Sequence, residues 1–427
     1  MPSFDPGILL LQLGILLALA FLLGRLAERI GLPATTGELA TGLLLGPSVL
    51  GAVATAHGSD WLFAPATGQN EFLRGIAAFC GVLLVGVAGA TIDLEFIRAR
   101  SRTIGVISLG ALGLPLVSTL VLALSAEPRL RGPEADTWTF VAYAGLALSV
   151  SAVPVIVKIF ADLGVLHRNL SHLSLSVAVI DDAIVWIGLS IIAAAVHLHD
   201  AGDLIGDVAV TLAAVVALAL LTVVARRSGG VMAPPGARRE PGVGASSLVA
   251  AAFITLGAVI TDRIGLDSTL GAFLCGAILA SGRVVPVAGL RPLRTVVLGV
   301  LAPLFLAVNG LAADLTALRD PWLALTAAAV VVLAVLSKTV GAYGGCRLAG
   351  LQHDAAMAVS SALNARGTVQ LVVAAAGLRL GLITREGFTI LVLVALVTSA
   401  MAGPLIRRYL QRIPETPDEN RRDNMIE

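Results

Sequence analysis

Four charged residues sit inside apolar runs. Asp181 and Asp182 share the run Val-Ala-Val-Ile-Asp-Asp-Ala-Ile-Val-Trp, Lys338 lies in Leu-Ala-Val-Leu-Ser-Lys-Thr-Val-Gly, and Arg366 in Ser-Ser-Ala-Leu-Asn-Ala-Arg-Gly-Thr. Glu38 is a fifth candidate. One charge near the centre of a bilayer costs roughly 2.5–3.5 kcal/mol on insertion scales, so four without partners would cost about 10 kcal/mol. They must pair, line water or titrate. Two adjacent acids with a distant lysine exceed what the docking of helices requires, and they point to reversible binding of a cation and of protons. Neighbours on a helix point about 100° apart. One carboxylate can therefore face an ion path while the other meets a partner. Burial and a nearby cation act oppositely on a carboxyl's hold on its proton, which brings proton exchange near neutral pH within reach.

Lys338 is informative because the chain has two lysines against 27 arginines. A guanidinium does not release its proton, whereas an ammonium does. A lysine in this place suggests a titratable group with one of the two acids as its partner. Arg366 needs a carboxylate or helix-end carbonyls, and Glu38 is a candidate partner. Two runs read as interrupted helices. In Leu148-Ser-Val-Ser-Ala-Val-Pro154, Ser149 and Ser151 precede an internal proline, which removes a helix hydrogen bond and frees carbonyls. In Ser360–Thr368, polar residues and Gly367 interrupt an apolar run. Free carbonyls at broken helices suit cation coordination.

The elements that position these residues follow from composition. Of 427 residues, 57% are hydrophobic and 13% charged; mean hydropathy is +0.92 and formal net charge +1. A water-soluble domain carries about 25% charged residues. The balance excludes a disordered chain and leaves no basic footprint for nucleic acid. Cys80, Cys275 and Cys346 lie in apolar segments without paired spacing and read as fillers. His197-Leu-His199 lacks further ligands and reads as solvated. The first apolar run has no basic residue before it, so it is expected to stay in the membrane rather than be cleaved.

Thirteen apolar segments are expected to span the membrane, at 7–27, 36–54, 72–92, 103–125, 138–160, 171–197, 204–225, 246–263, 268–282, 295–313, 322–346, 354–377 and 386–406. With the N-terminus outside and the C-terminus cytoplasmic, 20 basic residues fall in inside segments and 7 in outside segments. The stretch Glu28–Leu45 repeats in Asp262–Leu279 at a constant offset of 234, with eight identities in eighteen positions, among them Arg29/Arg263, Gly37/Gly271 and Gly42/Gly276. Asp93–Arg98 similarly parallels Asp314–Arg319. The displacement is seven spans, an odd number, so the second copy enters the membrane upside down. The expected organisation is a first repeat at 1–197, a linker helix and cytoplasmic loop at 198–245, a second repeat at 246–410, and a short tail at 411–427. Inverted repeats are a signature of secondary transporters, with the site between the halves.

These motifs resemble the monovalent cation:proton antiporter-2 family, especially its plant and fungal cation/proton exchanger branch and bacterial relatives. The resemblance covers residues from about 7 to 410. It is carried by Thr36–Gly51, Leu148–Val155, Asp181-Asp182, Gly271–Gly276, Lys338–Gly341, Asn364–Gly367 and Gly387–Thr398. It implies an all-α membrane fold of twelve or thirteen helices in two inverted six-helix repeats. It also implies a site in which Asp182 binds the cation and the proton in turn, and Asp181 is the salt-bridge partner of Lys338. Relatives with Asp-Asp and this lysine are usually electrogenic, so two protons per cation are expected. A homodimer through the outer helices of the first repeat is likewise implied. Gln370 stands where many relatives carry Glu. No nucleotide-regulatory domain is expected, since few polar residues follow the last span. The reading is thus a transporter and not an enzyme, needing no cofactor, that works in the cell membrane on Na+ or K+ and protons. The alternative is an ion-coupled transporter of an organic anion on the same fold. An intramembrane aspartyl protease would need its two acids on separate helices.

Overall fold

A computed structural model describes residues 5–57, 62–63, 69–90, 100–124, 129–165, 168–197, 243–263, 268–280 and 287–415. Among them the chain is helical, with one isolated bridge between Arg131 and Ile383. The helices are α1 (Pro6–Arg29), α2 (Ala34–Leu45), α3 (Leu50–Ala56), α4 (Gln69–Gly89), α5 (Ser101–Leu124), α6 (Thr137–Ser149), α7 (Val153–Asp162) and α8 (Asn169–His197). They continue as α9 (Val243–Arg263), α10 (Ser268–Leu279), α11 (Val287–Val296), α12 (Ala302–Ala312), α13 (Pro321–Leu348), α14 (His353–Leu363), α15 (Thr368–Arg379) and α16 (Arg385–Leu410). A π-helical turn at Val297–Leu301 joins α11 to α12.

Nine stretches among the described residues are long and apolar enough to cross a membrane, and α10 and Val369–Arg379 are shorter apolar helices. Their outward residues are themselves apolar: Leu109 and Leu248 are about three-quarters exposed. Such a surface suits lipid rather than water. Twelve of the expected segments coincide with one or two of these helices. The segment at 204–225, the loop at 226–242, the Asp93–Arg98 stretch, His199 and the tail from 416 lie outside the described residues. The segment read as 36–54 is divided into α2 and α3 at Gly46-Pro47, because proline cannot continue the helix hydrogen bonding.

The residues gather into two units. One draws on Met1–Arg74, Leu94–Val185 and Leu306–Glu427, the other on Gly75–Asp93 and Trp186–Phe305. In the first, α5 and α13 pack backbone to backbone. A Cβ at Gly110 would overlap the Gly341 carbonyl, and one at Gly341 the Gly110 carbonyl. Gly345, one turn on, lies against Ile107 in the same way. Without a hydrophobic drive between helices in lipid, such small-residue faces supply the association through close contact.

Glycine contacts recur at repeat-related positions. Gly37 lies against the Leu23 carbonyl, and Gly271 against the Gly257 carbonyl, each residue shifted by 234. Gly42 lies against the Ala307 carbonyl, and Gly276 against the Gly86 carbonyl. Gly310 meets Leu39, and Gly89 meets Phe273. Gly86 and Gly89 are offset by 221 from Ala307 and Gly310, the same 221 that separates Asp93 from Asp314. The bounds of α2 and α10 also coincide when shifted by 234.

Both interrupted helices expected from the sequence are present. After Ser149 the chain extends through Val150 and resumes as α7 at Val153, with Pro154 in its first turn, where a missing N–H is tolerated. The second break separates α14 from α15 at Asn364–Gly367. A Cβ at Gly367 would lie 2.5 Å from a methyl of Val155, so glycine is needed for the two breaks to meet. They are tied by Ala152 N–H to the Ala365 carbonyl (2.9 Å) and by the Ser151 hydroxyl to the Leu363 carbonyl (2.7 Å). At the start of α8, the buried Arg168 donates to the Ile413 carbonyl (2.9 Å), the Pro414 carbonyl (3.3 Å) and the Glu415 carboxylate (3.3 Å).

Candidate functional site

Mid-way along α8, Asp181 and Asp182 are both buried, at 0% and 1% exposure. Lys338 on α13 is equally enclosed. Its Nζ donates to Asp181 Oδ2 at 3.0 Å and to the Ser149 carbonyl at 2.5 Å. That carbonyl is the last of α6. The break deprives it of the amide that would otherwise accompany it four residues on, and a cation at a helix C-terminus also complements the helix dipole. The break therefore creates the acceptor that Lys338 fills.

Asp182 is next to Asp181 in sequence and within electrostatic reach of Lys338. Its Oδ1 makes no hydrogen bond among the described residues, and neither does Asp181 Oδ1. A buried carboxylate oxygen without a donor is an energetic liability unless a cation or proton occupies it in part of a working cycle. Two carboxylates and two cations, Lys338 and Arg366, balance formally when both acids are ionised.

Arg366 is fully buried within the second break. Of the partners considered in the sequence, the structure supplies helix-end carbonyls. Nη1 donates to the Ala147 carbonyl (3.4 Å) and to Gln370 Oε1 (3.4 Å), and Nη2 to the Leu148 carbonyl and the Ala334 carbonyl (3.3 Å). Glu38 is half-buried on α2, its stem 3.5 Å from where a Cβ on Gly24 of α1 would lie. The hydroxyls of Ser149 and Ser151 are committed, Ser149 to the Gly145 carbonyl (2.6 Å) and Ser151 to Leu363. The backbone between them is unwound.

Sequence reasoning passed over several groups here. Ser108 of α5 stands beside Asp181. Asn364 donates to the Thr339 hydroxyl (3.3 Å), and the Ser399 hydroxyl donates to the Arg366 carbonyl. Gln370, one helical turn after Arg366, is singled out in the sequence only through the family resemblance; a lone serine in an apolar helix carries no signal. Among the described residues no group of three or more His, Cys, Asp or Glu side chains is placed to hold a metal ion. The donors present are carboxylates, carbonyls and hydroxyls, hard oxygen ligands suited to hard cations.

A family model describing the transmembrane region of sodium/hydrogen exchangers matches residues 15–412. The chain belongs to the sodium/hydrogen exchanger family. Among relatives, it is 28% identical over 407 residues to the Na+/H+ antiporter NhaS4 of Synechocystis sp., covering 94% of this chain and 98% of that one. It is 26% identical over 401 residues to the Na+/H+-K+ antiporter GerN of Bacillus cereus, covering 93% and 95%. It spans about half the length of the Arabidopsis thaliana cation/H+ antiporters 15 and 19, which it also matches. The fold is similar to that of the sodium proton antiporter MjNhaP1 from Methanocaldococcus jannaschii, with a TM-score of 0.68 over 95% of this chain and 97% of that one, at 14% identity.

Proposed function

We propose that this exchanger carries a monovalent cation, Na+ or K+, against protons, with Asp182 as the seat the two ions occupy in turn. The observation that carries this reading is the buried carboxylate pair of α8. One member is tied to Lys338 and the other keeps an oxygen without a donor. The similarity to NhaS4, a Na+/H+ antiporter, and GerN, a Na+/H+-K+ antiporter, supports the same substrate class. In the proposed cycle a cation entering at Asp182 takes the unwound backbone around Ser149–Ser151 as further ligands. Its charge weakens the Asp181–Lys338 pair, and Lys338 gives up its proton. Two protons then move per cation, which makes the exchange electrogenic. Access alternates between the two sides as one part of the fold moves against the other.

The repeat-related glycine contacts and the matching bounds of α2 and α10 support a repeat organisation of 1–197 and 246–410 around the 198–245 linker, and the odd displacement supports their inversion. The distribution of arginine supports an outside N-terminus and a cytoplasmic C-terminus in the cell membrane. Assembly as a homodimer is part of the same proposal.

Exchange is measured in proteoliposomes with a pH-sensitive dye, scanning Li+, Na+, K+ and Rb+. Asp182→Asn is expected to abolish it; normal exchange by that variant refutes the assignment. An imposed membrane potential should change the rate, and indifference to potential removes the Lys338 proton from the scheme.

A further inference from the structure

Arg366 does more than contribute charge to the core. Its planar fork touches three helices. It reaches the Ala147 and Leu148 carbonyls at the end of α6, the Ala334 carbonyl of α13 and the Gln370 side chain of α15. Ala334 lies one helical turn before Lys338, on the same face of α13. The carbonyl of Arg366 itself is held by the Ser399 hydroxyl of α16. The last three carbonyls of α6 are thus divided between two cations: Ala147 and Leu148 go to Arg366, and Ser149 goes to Lys338. Gln370 offers the guanidinium a neutral oxygen at 3.4 Å. Among the described residues the fork is held by this amide oxygen and by main-chain carbonyls.

We infer that Arg366 is a positioning residue, a rigid spacer that fixes the broken end of α6 against α13 so that the Ser149 carbonyl remains aimed into the ion site. The inference rests on the proposed exchange at Asp182 and deepens it. Arginine suits this task and lysine does not, because five donors in one plane can hold several carbonyls at once whereas an ammonium is a point. The spacer keeps two carbonyls permanently occupied and leaves one, Ser149, to be traded between Lys338 and the transported ion. Misplacing that carbonyl weakens ion binding before it slows the moving parts.

The test is exchange by full-length protein in proteoliposomes, as initial rate against Na+ or K+ concentration, with melting temperature in detergent measured alongside. Arg366→Lys keeps the charge and loses the fork. Its apparent KM for the cation is expected to rise about tenfold, the equivalent of one buried charged hydrogen bond, with the maximal rate within about twofold of the parent. Gln370→Glu gives the guanidinium an ionic partner that competes with the Ala147 carbonyl. Its KM is expected to rise about threefold with no fall in melting temperature. Arg366→Ala is the harsher variant; failure of that protein to fold leaves the other two to decide. An unchanged KM in both Arg366→Lys and Gln370→Glu, whatever happens to yield or melting temperature, overturns the inference and reduces Arg366 to a structural strut. If the parent exchanges and Asp182→Asn does not, that overturn leaves the functional reading standing. If the parent exchanges no cation, both fall together.

Discussion

Lys338→Met and Asp181→Leu, made singly and together, probe the pair at 3.0 Å between α13 and α8. Both side chains have 0% exposure, so solvent does not screen the interaction. Removing one member of a buried ion pair costs about 3–5 kcal/mol, because the other is left as an uncompensated charge. Lys338→Met also strips the Ser149 carbonyl of its donor, a buried acceptor worth about 1–3 kcal/mol when unmade. It should therefore be the worse of the two. Asp181→Leu leaves Lys338 bonded to the Ser149 carbonyl and should fall near the lower bound. In the double variant no charge of the pair remains, and apolar groups of similar volume fill the space. Its loss should shrink to roughly the 1–3 kcal/mol of the bare carbonyl, with a coupling of about 3 kcal/mol or more between the positions. The assay is thermal unfolding of detergent-purified protein, with all four melting temperatures in one series. The expected order is parent, double variant, Asp181→Leu, Lys338→Met. Additive losses, with the double variant lowest, would refute a direct buried interaction between these two residues.

Gly341→Ala should lower stability by about 1–3 kcal/mol, since the new methyl strikes the Gly110 carbonyl. Gly344→Ala, where a Cβ meets nothing within 4 Å, should leave the melting temperature unchanged, and equal effects of the two would discredit the close packing of α5 on α13. At the helix starts, the Trp322 N–H, with Arg129 beside it, holds the Asp320 carboxyl below its ordinary range, and Thr139 does the same for Asp136 through its hydroxyl and N–H. Both carboxylates therefore support their helices above the unfolded carboxyl pKa, about 3.9, and the support is lost as pH falls through the lower folded values. Hydrogen exchange, corrected for intrinsic rates, should show the Thr139 and Trp322 amides losing protection only in that acid range; protection constant down to about pH 2 contradicts the capping. Arg168→Ala removes the donor that holds Ile413, Pro414 and Glu415. Limited proteolysis near residue 413 should accelerate several-fold in that variant while cleavage elsewhere is unaltered, and an unchanged rate there would show that the strap is held by other means.

The candidate site is readable in the sequence wherever the energetic demand is local. A carboxylate in an apolar run requires a partner, so Asp181, Asp182 and Lys338 could be grouped before any geometry was known. The breaks were readable because Pro154 and Gly367 constrain the backbone directly. Arg366 is marked by the same demand for a partner, and helix-end carbonyls are one of the two kinds it could take, but which carbonyls supply it is hidden. Main-chain carbonyls are present at every residue and leave no mark in a sequence, whereas Glu38 is conspicuous as a side chain. Ser108 and Ser399 were overlooked for a related reason, since a single hydroxyl among aliphatics has neither period nor motif. The division of 36–54 at Gly46-Pro47 was in plain view but was outweighed by the continuous apolar character of the segment. The glycines show the converse. Gly37, Gly42, Gly271 and Gly276 were identities of a repeat on paper, and only the packing reveals that each marks a place where two backbones touch.

The contact of Gly42 with Ala307 and Gly310 joins a helix made near the beginning of synthesis to one made long afterwards. A ribosome at residue 45 has finished α2, yet must translate more than half of the remaining chain before the surface that covers its bare strip exists. Pairings so remote along a polypeptide form late and slowly. Until α12 arrives, α2 must wait with its naked backbone stripe turned toward lipid or toward a temporary companion. Packing around α2 is thereby postponed until α12 has been translated, and a nascent chain halted between residues 45 and 302 should be held as loose helices.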